Sequence, residues 1–193
     1  MIGRSVQATP DERRRSLPGD EFISRPIASF THAINIRSRP HEVWPWLAQM
    51  GAGTRAGWYS YDFLDNGRKP SADRIIPQLQ NIREGMVFPA LPGVTEGFVI
   101  VTFEQDRFLV LGLKSPDGSL MTTWAFALEQ AGPSHTRLLV RARANEGSRF
   151  HRLPWWLAKH IVRVIHAIMQ RKQLLRISRR AEQTAADALR KAS

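Results

Sequence analysis

The sequence predicts an α+β fold in which a curved antiparallel β-sheet wraps around a long C-terminal α-helix. Between residues 97 and 144, four segments rich in Val, Phe, Leu and Trp are separated by short turn signals, which is typical of an antiparallel meander. After residue 154, apolar residues recur at helical spacing almost to the end of the chain. The 193 residues, 42% of them hydrophobic, are enough to build one core.

Residues 1–30 are predicted to form an N-terminal arm, ahead of a single domain at residues 31–193. Residues 11–15 are a run of charged side chains with little to bury. Residues 17–20 read Leu-Pro-Gly-Asp, a turn signal in which proline presets one position and glycine supplies positive φ at the next.

A first strand and several short helices are predicted to follow the arm. The strand is Thr31–Ile36, and a helix begins near Pro40, because proline is tolerated in a first turn, and ends at Gly51. Two shorter helices are predicted at Tyr61–Asn66 and Ser71–Gln80. The four later strands are Phe98–Phe103, Phe108–Leu113, Thr122–Leu128 and Arg137–Ala144.

The last element is a helix predicted over Pro154–Leu189. Its main apolar stripe consists of Leu157, Ile161, Val164, Ile168 and Leu175. We expect this stripe to face the sheet and to leave a cavity of the kind that apolar ligands occupy. His166 lies about 180° from the stripe at the helical angle per residue, so we expect it on the surface.

The charge of the chain is concentrated at one place. The net charge is +11, and residues 149–180 hold nine Lys and Arg but no acid, so the rest is nearly neutral. This segment has three interpretations: a solvated helix face, a contact with an anionic membrane surface, or a nucleic-acid contact. The bases are spread around the helix rather than along one stripe, which weakens both the membrane and the nucleic-acid interpretation.

Cofactor, metal and targeting signals are missing from the sequence. There is no cysteine, which excludes disulfides and thiolate metal sites and fits a cytoplasmic location. No secretory signal and no membrane-spanning run is visible. The histidines and carboxylates show no metal-ligand spacing, so we predict no metal and no cofactor.

Several stretches of the sequence resemble a known superfamily. They are residues 17–21 (LPGDE), 43–47 (VWPWL), 57–62 (GWYSYD), 71–75 (SADRI) with Pro77, 123–126 (TWAF), 136–141 (TRLLVR) and 179–182 (RRAE). Over about Thr31–Glu182 the chain resembles the START-like, birch-pollen-allergen-like helix-grip superfamily, often called SRPBCC, in a bacterial branch whose members are mostly uncharacterised. The resemblance implies a helix-grip fold. It leaves the activity open, because the superfamily includes lipid carriers, hormone receptors, and polyketide cyclases and dehydratases that use the same groove.

The strongest candidate ligand contacts lie at residues 57–62. Trp58, Tyr59 and Tyr61 combine apolar surface with a polar group, and Asp62 adds a carboxylate, which suits the mouth of a pocket. The alternative is a packed loop in which Asp62 acts as a cap.

Further candidates for the cavity lie on the strands and on the last helix. Trp124 and Phe126 share one strand face, while Ile161 and Ile168 belong to the helix stripe. Arg141 could bind a carboxylate or phosphate by its planar fork. The alternative for Arg141 is a solvent-facing side chain paired with an acid such as Glu104 or Glu129.

The sequence therefore favours a protein that binds or transports an apolar small molecule, such as a lipid or a polyketide-like ring. No nucleophile–base motif is present, so a binding protein is favoured over a catalyst. One alternative is a cyclase- or dehydratase-like enzyme with Asp62 or Tyr61 as acid–base group. The other is a peripheral membrane or nucleic-acid contact through residues 149–180.

Overall fold

The computed structural model describes residues 5–146 and 155–192. Its strands are β1 (Ala28–Ile36), β2 (Val87–Pro89), β3 (Gly97–Glu104), β4 (Phe108–Lys114), β5 (Leu120–Gln130) and β6 (Thr136–Ala144). Its helices are α1 (Pro10–Arg14), α2 (Pro40–Ala48), α3 (Asp62–Asp65) and α4 (Trp155–Ala192).

The six strands form one antiparallel sheet in the order β1-β6-β5-β4-β3-β2. Strands β2 to β6 follow one another as a meander, and β1 closes the other edge by pairing with β6 from Ala28↔Ala144 to Ile36↔Thr136. The curved sheet and the long C-terminal helix confirm the predicted α+β helix-grip fold. The first strand is longer than predicted, and β2 was missed because three residues carry no readable alternation.

Helix α2 begins at Pro40 as predicted, because Glu42 caps its first turn by accepting the Arg39 N–H at 2.6 Å. It ends at Ala48 rather than at Gly51. The helix predicted at Ser71–Gln80 is wrong, since only a short 3₁₀ turn forms at Pro77–Leu79. Pro77 holds Ile76 in extended backbone, and the Ile76 N–H donates to the Gln49 side chain at 2.9 Å.

Helix α4 packs on the sheet with a different face from the one predicted. Gln170, Gln173, Leu174, Ile177 and Ala181 are buried, and this face includes two glutamines. Most of the predicted stripe is wrong: Ile161, Val164 and Ile168 are exposed, and the side chain of Leu157 lies outside the described residues. Leu175 is partly buried against the core, as predicted. Periodicity identified the helix but chose the wrong face, because the buried polar residues did not count toward the apolar stripe.

The segment before β1 covers the sheet face opposite α4. Ala8 and Leu17 pack there against Ala33, Ala127 and Leu139. This face of the sheet is thus covered by the N-terminal segment and is not exposed to solvent. This result excludes the alternative of a solvent-facing Arg141 on this side of β6.

Arg141 lies at the centre of this covered face, and only 2% of its surface is exposed. It pairs with Asp20 at 2.5 Å and donates to the backbone carbonyls of Glu12, Arg13 and Arg15 at 2.6 to 3.1 Å. Its Nε also donates to the Thr31 hydroxyl of β1 at 3.0 Å, and its other partners belong to the N-terminal segment rather than being Glu104 or Glu129. Arg141 therefore fastens that segment and does not reach the space between α4 and the sheet.

Candidate functional site

A cavity of about 520 Å³ lies between α4 and the inner face of the sheet. Its lining is mainly apolar and aromatic: Trp58, Leu64, Ala90, Leu91, Phe98, Leu113, Trp124, Ala142 and Met169. The polar lining residues are Ser60, Asp65, Thr122, Thr123, His166, Gln170 and Gln173. A mostly apolar cavity with a few convergent polar groups is the usual composition of a small-molecule site.

Three aromatic rings form one wall of this cavity. Trp58, Phe98 and Trp124 have ring centroids 5.4 to 5.5 Å apart. Both indole N–H groups are already bonded, since Trp58 donates to the Ala90 carbonyl at 3.1 Å and Trp124 to the Gln170 side chain at 3.0 Å. The wall therefore offers apolar ring surface to a ligand and requires no hydrogen bond from it.

The position of Trp58 depends on the glycine before it. Gly57 has φ of +85°, and a Cβ at this residue would overlap the Ser71 side chain. Ser71 Oγ accepts the Tyr59 N–H at 3.1 Å and donates to Asp62 at 2.5 Å. This close approach of two segments turns Trp58 toward the sheet, and only glycine permits it.

The buried glutamines of α4 satisfy one another. Gln170 donates to Gln173 at 2.7 Å, and Gln173 donates to the Trp58 carbonyl at 2.9 Å. Together with the Trp124 bond, this chain of amides ties α4 to the aromatic wall. Paired amides are inexpensive to bury, which explains how a helix face containing two glutamines packs on the sheet.

Asp65 is the unusual polar group of the cavity lining. It is buried, and neither carboxylate oxygen has a hydrogen-bond partner among the residues that the structure describes. Burial, and then the neighbouring Asp62 charge, raise the pKa of Asp65 to about 6. A carboxyl group with this pKa exchanges its proton near neutrality and donates a hydrogen bond when protonated.

Asp62, the carboxylate singled out from the sequence, is in the opposite condition. Burial favours its neutral form, but hydrogen bonds from Ser71 and Arg176 outweigh that effect and lower the pKa of Asp62. Its ion pair with Arg176 measures 2.8 Å and joins α3 to α4. Asp62 therefore anchors the helix and is not among the residues that line the cavity.

The two tyrosines of the same segment also lie outside the cavity lining. Tyr59 is fully buried, accepts a hydrogen bond from Gln49 at 2.8 Å, and has its pKa raised by burial. Tyr61 lies beneath Lys172, whose Nζ is 3.6 Å from the ring centroid. Of the four candidates at residues 57–62, only Trp58 lines the cavity.

The remaining candidates divide in the same way. Trp124 lines the cavity, while Phe126 is fully buried behind it with ring centroids 4.9 Å apart. Ile161 and Ile168 lie on the exposed side of α4, and Arg141 lies on the opposite face of the sheet. These three side chains are placed away from the cavity.

His166 lines the cavity, contrary to the expectation of a surface position. Its ring packs against the rings of Phe30 and His32 on β1, with centroid distances of 5.3 and 5.5 Å. Burial, and to a lesser degree His32, lower the pKa of His166 to about 4, so the ring is neutral at physiological pH. The residues that sequence reasoning missed, Asp65 and His166, have no motif around them; only the correct helix face would have indicated His166.

Comparison with known proteins gives weak similarities to solved structures. No family model and no curated protein matches the chain. A Polyketide_cyc-like protein from Corynebacterium glutamicum is 16% identical, with 78% of this chain and 89% of that chain covered and a TM-score of 0.48. A protein from Thermobifida fusca is 13% identical, with 81% and 95% covered and a TM-score of 0.48. The Aha1 protein from Colwellia psychrerythraea, described as a dimer, is 15% identical, with 81% and 97% covered and a TM-score of 0.44. None of these similarities assigns an activity to this chain.

Metal sites and membrane spans are two further classes of feature. Within residues 5–146 and 155–192, no cluster of three or more His, Asp or Glu side chains is arranged to hold a metal ion. Over the same described residues, none of the helices combines the length and the apolarity needed to cross a membrane.

Proposed function

We propose that the protein binds and carries an apolar small molecule in the cavity between α4 and the sheet. The observation that supports this most is the wall of Trp58, Phe98 and Trp124, whose indole N–H groups are already bonded. The cavity volume of about 520 Å³ falls in the ordinary range for small-molecule sites. Affinity would come from removing apolar ligand surface from water, at about 25 cal/mol per Å².

The polar lining indicates the class of ligand. Asp65 is neutral below about pH 6 and then donates a hydrogen bond, and the neighbouring His166 ring is neutral. Neither group attracts an anion, and no Lys or Arg is among the described residues that line the cavity. A mostly apolar molecule with a hydroxyl group fits this lining better than a carboxylate does, because a hydroxyl donates to Asp65 above about pH 6 and accepts from it below that pH.

A cavity-filling substitution tests this proposal. Ala142 lies on β6 in the cavity lining, and Ala142→Leu should weaken binding of an environment-sensitive naphthylamine probe at least about tenfold, because the added side chain occupies ligand space. The matched control is Ala186→Leu on the exposed part of α4, which should bind like the parent. Displacement of the probe by alcohols, ketones and fatty acids then ranks the ligand classes. Equal probe affinity of the parent and Ala142→Leu would contradict the proposal.

A second candidate function, acid–base catalysis in the same cavity, is favoured by Asp65 alone. A carboxyl group with a pKa of about 6 inside an apolar site is suited to general acid–base chemistry near neutrality. In this role Asp65 takes the place of Asp62, which is held as an ion pair. Poly-β-ketone substrates are the compounds to test, with Asp65→Asn as the variant. Turnover that disappears in Asp65→Asn while probe binding persists supports catalysis; equal turnover, or none in the parent, leaves the carrier function.

A further inference from the structure

The outer side of α4 carries an apolar stripe that no described residue covers. Ile161, Val164, Ile165 and Ile168 are between 41% and 53% exposed. Their spacing of three and four residues places them on one face of the helix. Four adjacent aliphatic side chains in water are unfavourable for an isolated protein, and such patches mark interaction surfaces.

A basic groove reaches one side of this stripe at Arg171, three residues after Ile168. It is bordered by Arg163, Ala167 and Arg171 of α4 and by Arg13 of the N-terminal segment, with hydroxyl groups such as Ser29 between them. Among the described residues, no carboxylate forms an ion pair with any of these three arginines. The groove therefore presents uncompensated positive charge beside the stripe.

The mouth of the ligand cavity lies along the other side of the stripe. Met169 of α4 lines the cavity and lies one turn after Ile165 on the helix surface. Leu64 and Leu91, which also line the cavity, are themselves exposed. Apolar surface is thus available from the stripe to the cavity.

We propose that the α4 docking surface, made of this stripe with Arg13, Arg163 and Arg171, binds an anionic phospholipid bilayer. Aliphatic side chains enter the boundary between headgroups and acyl chains while the arginines contact headgroup phosphates. A second copy of the chain fits less well, because residues 149–180 contain nine bases and no acid, so two apposed stripes would repel. Nucleic acid gains nothing from the aliphatic side chains. Docked in this way, the cavity opens next to the membrane.

Vesicle flotation of the full chain tests the proposal. We expect binding to phosphatidylcholine vesicles that contain about 30% phosphatidylglycerol, and little binding to phosphatidylcholine alone. Two variant pairs separate the contributions: Arg163→Glu with Arg171→Glu, and Ile165→Gln with Ile168→Gln. Each pair should weaken binding at least about tenfold, the first by loss of charge attraction and the second by loss of apolar insertion.

The control pair is Arg74→Glu with Arg83→Glu, which makes the same change in net charge at exposed sites outside the groove. This pair should retain most of the binding, and light scattering reports the oligomeric state of every protein.

Four results of the vesicle and light-scattering experiments would overturn the proposal: no binding to anionic vesicles, equal binding to neutral vesicles, equal losses in the control pair, or a dimer that the stripe variants dissociate. Saturation of the groove by inorganic phosphate while the stripe variants still bind vesicles like the parent would also overturn it. That result would leave a site for free anions. Because the test needs no ligand in the cavity, its outcome is independent of the proposed carrier function.

Discussion

Removing the guanidinium of Arg141 should release the N-terminal segment from the sheet. Arg141→Met replaces the side chain by an unbranched apolar one that fills much of the same space, but it leaves the backbone carbonyls of Glu12, Arg13 and Arg15 without their donor. It also removes one of the two cations at Asp20. Arg141→Lys keeps the charge but not the planar fork that serves several acceptors at once.

The size of the effect follows from burial. Breaking a buried ion pair by deleting one partner costs about 3–5 kcal/mol. The lower end applies because Asp20 keeps an ion pair with Arg143 at 2.8 Å. If the segment detaches, water hydrogen-bonds the freed carbonyls, and this limits the total loss in the free energy of unfolding. We expect a loss of about 3–4 kcal/mol in the free energy of unfolding, or a fall of about 6–16 °C in Tm for a chain of this size.

Urea denaturation measures the stability, and limited trypsin digestion reports the state of the segment. Arg13, Arg14 and Arg15 should be cut early in Arg141→Met and late in the parent, because cleavage requires the segment to leave the sheet. Arg107→Met is the control, since Arg107 forms only an exposed pair with Glu104 and should leave the unfolding midpoint unchanged. A loss below about 1 kcal/mol in Arg141→Met, with an unchanged digestion pattern, would refute the role given to this residue.

Three further predictions concern the cavity and its support. The folded-state pKa of Asp65 is raised to about 6, so its stabilising contribution is present at low pH and is lost as pH rises through 6. In urea titrations, the free energy of unfolding of Asp65→Asn should exceed that of the parent by about 1–2 kcal/mol at pH 8 and should equal it at pH 4. The folded-state pKa of His166 is lowered to about 4, so the free energy of unfolding of the parent falls as pH falls from about 6.5 toward 4. In His166→Leu this fall should be smaller by about 2–3 kcal/mol, and equal pH profiles of the two proteins would contradict this. Gly57→Ala should destabilise the chain by about 1–3 kcal/mol in thermal melts, because φ is positive and the Cβ overlaps Ser71. A melt like that of the parent would show that the segments around Gly57 and Ser71 separate easily.

The sheet could be predicted from sequence because its signals are local. Alternation along β5 and β6, and the turns between strands, determine which residues pair, and the predicted inner face containing Trp124 is the observed one. Helix α2 was found for a similar reason, since proline and a capping glutamate mark its start. The loop after α3 was misread because the partners of its backbone, such as the Gln49 side chain, are distant in sequence.

The candidate site was harder to predict because it depends on long-range pairing. Gln170 and Gln173 face the sheet only because the Trp58 carbonyl and the Trp124 indole are there to bond them. No pattern within α4 indicates those partners. Asp65 is similar: it lies three positions after Asp62, yet Arg176 of α4 forms an ion pair with Asp62, while the Asp65 carboxylate has no hydrogen-bond partner among the described residues.

The distribution of residues around α4 links the two proposals. On its buried face, two glutamine side chains pack against the sheet, while four aliphatic side chains on its outer face are exposed to water. Burying such a side chain fully contributes about 1.5–3 kcal/mol, so an isolated protein forgoes stability that the same residues would supply in the core. Because these side chains are exposed in the folded chain, replacing them with polar residues leaves its packing intact. Vesicle binding can therefore be removed without unfolding the protein, and ligand binding in the cavity can be measured separately in the same variants.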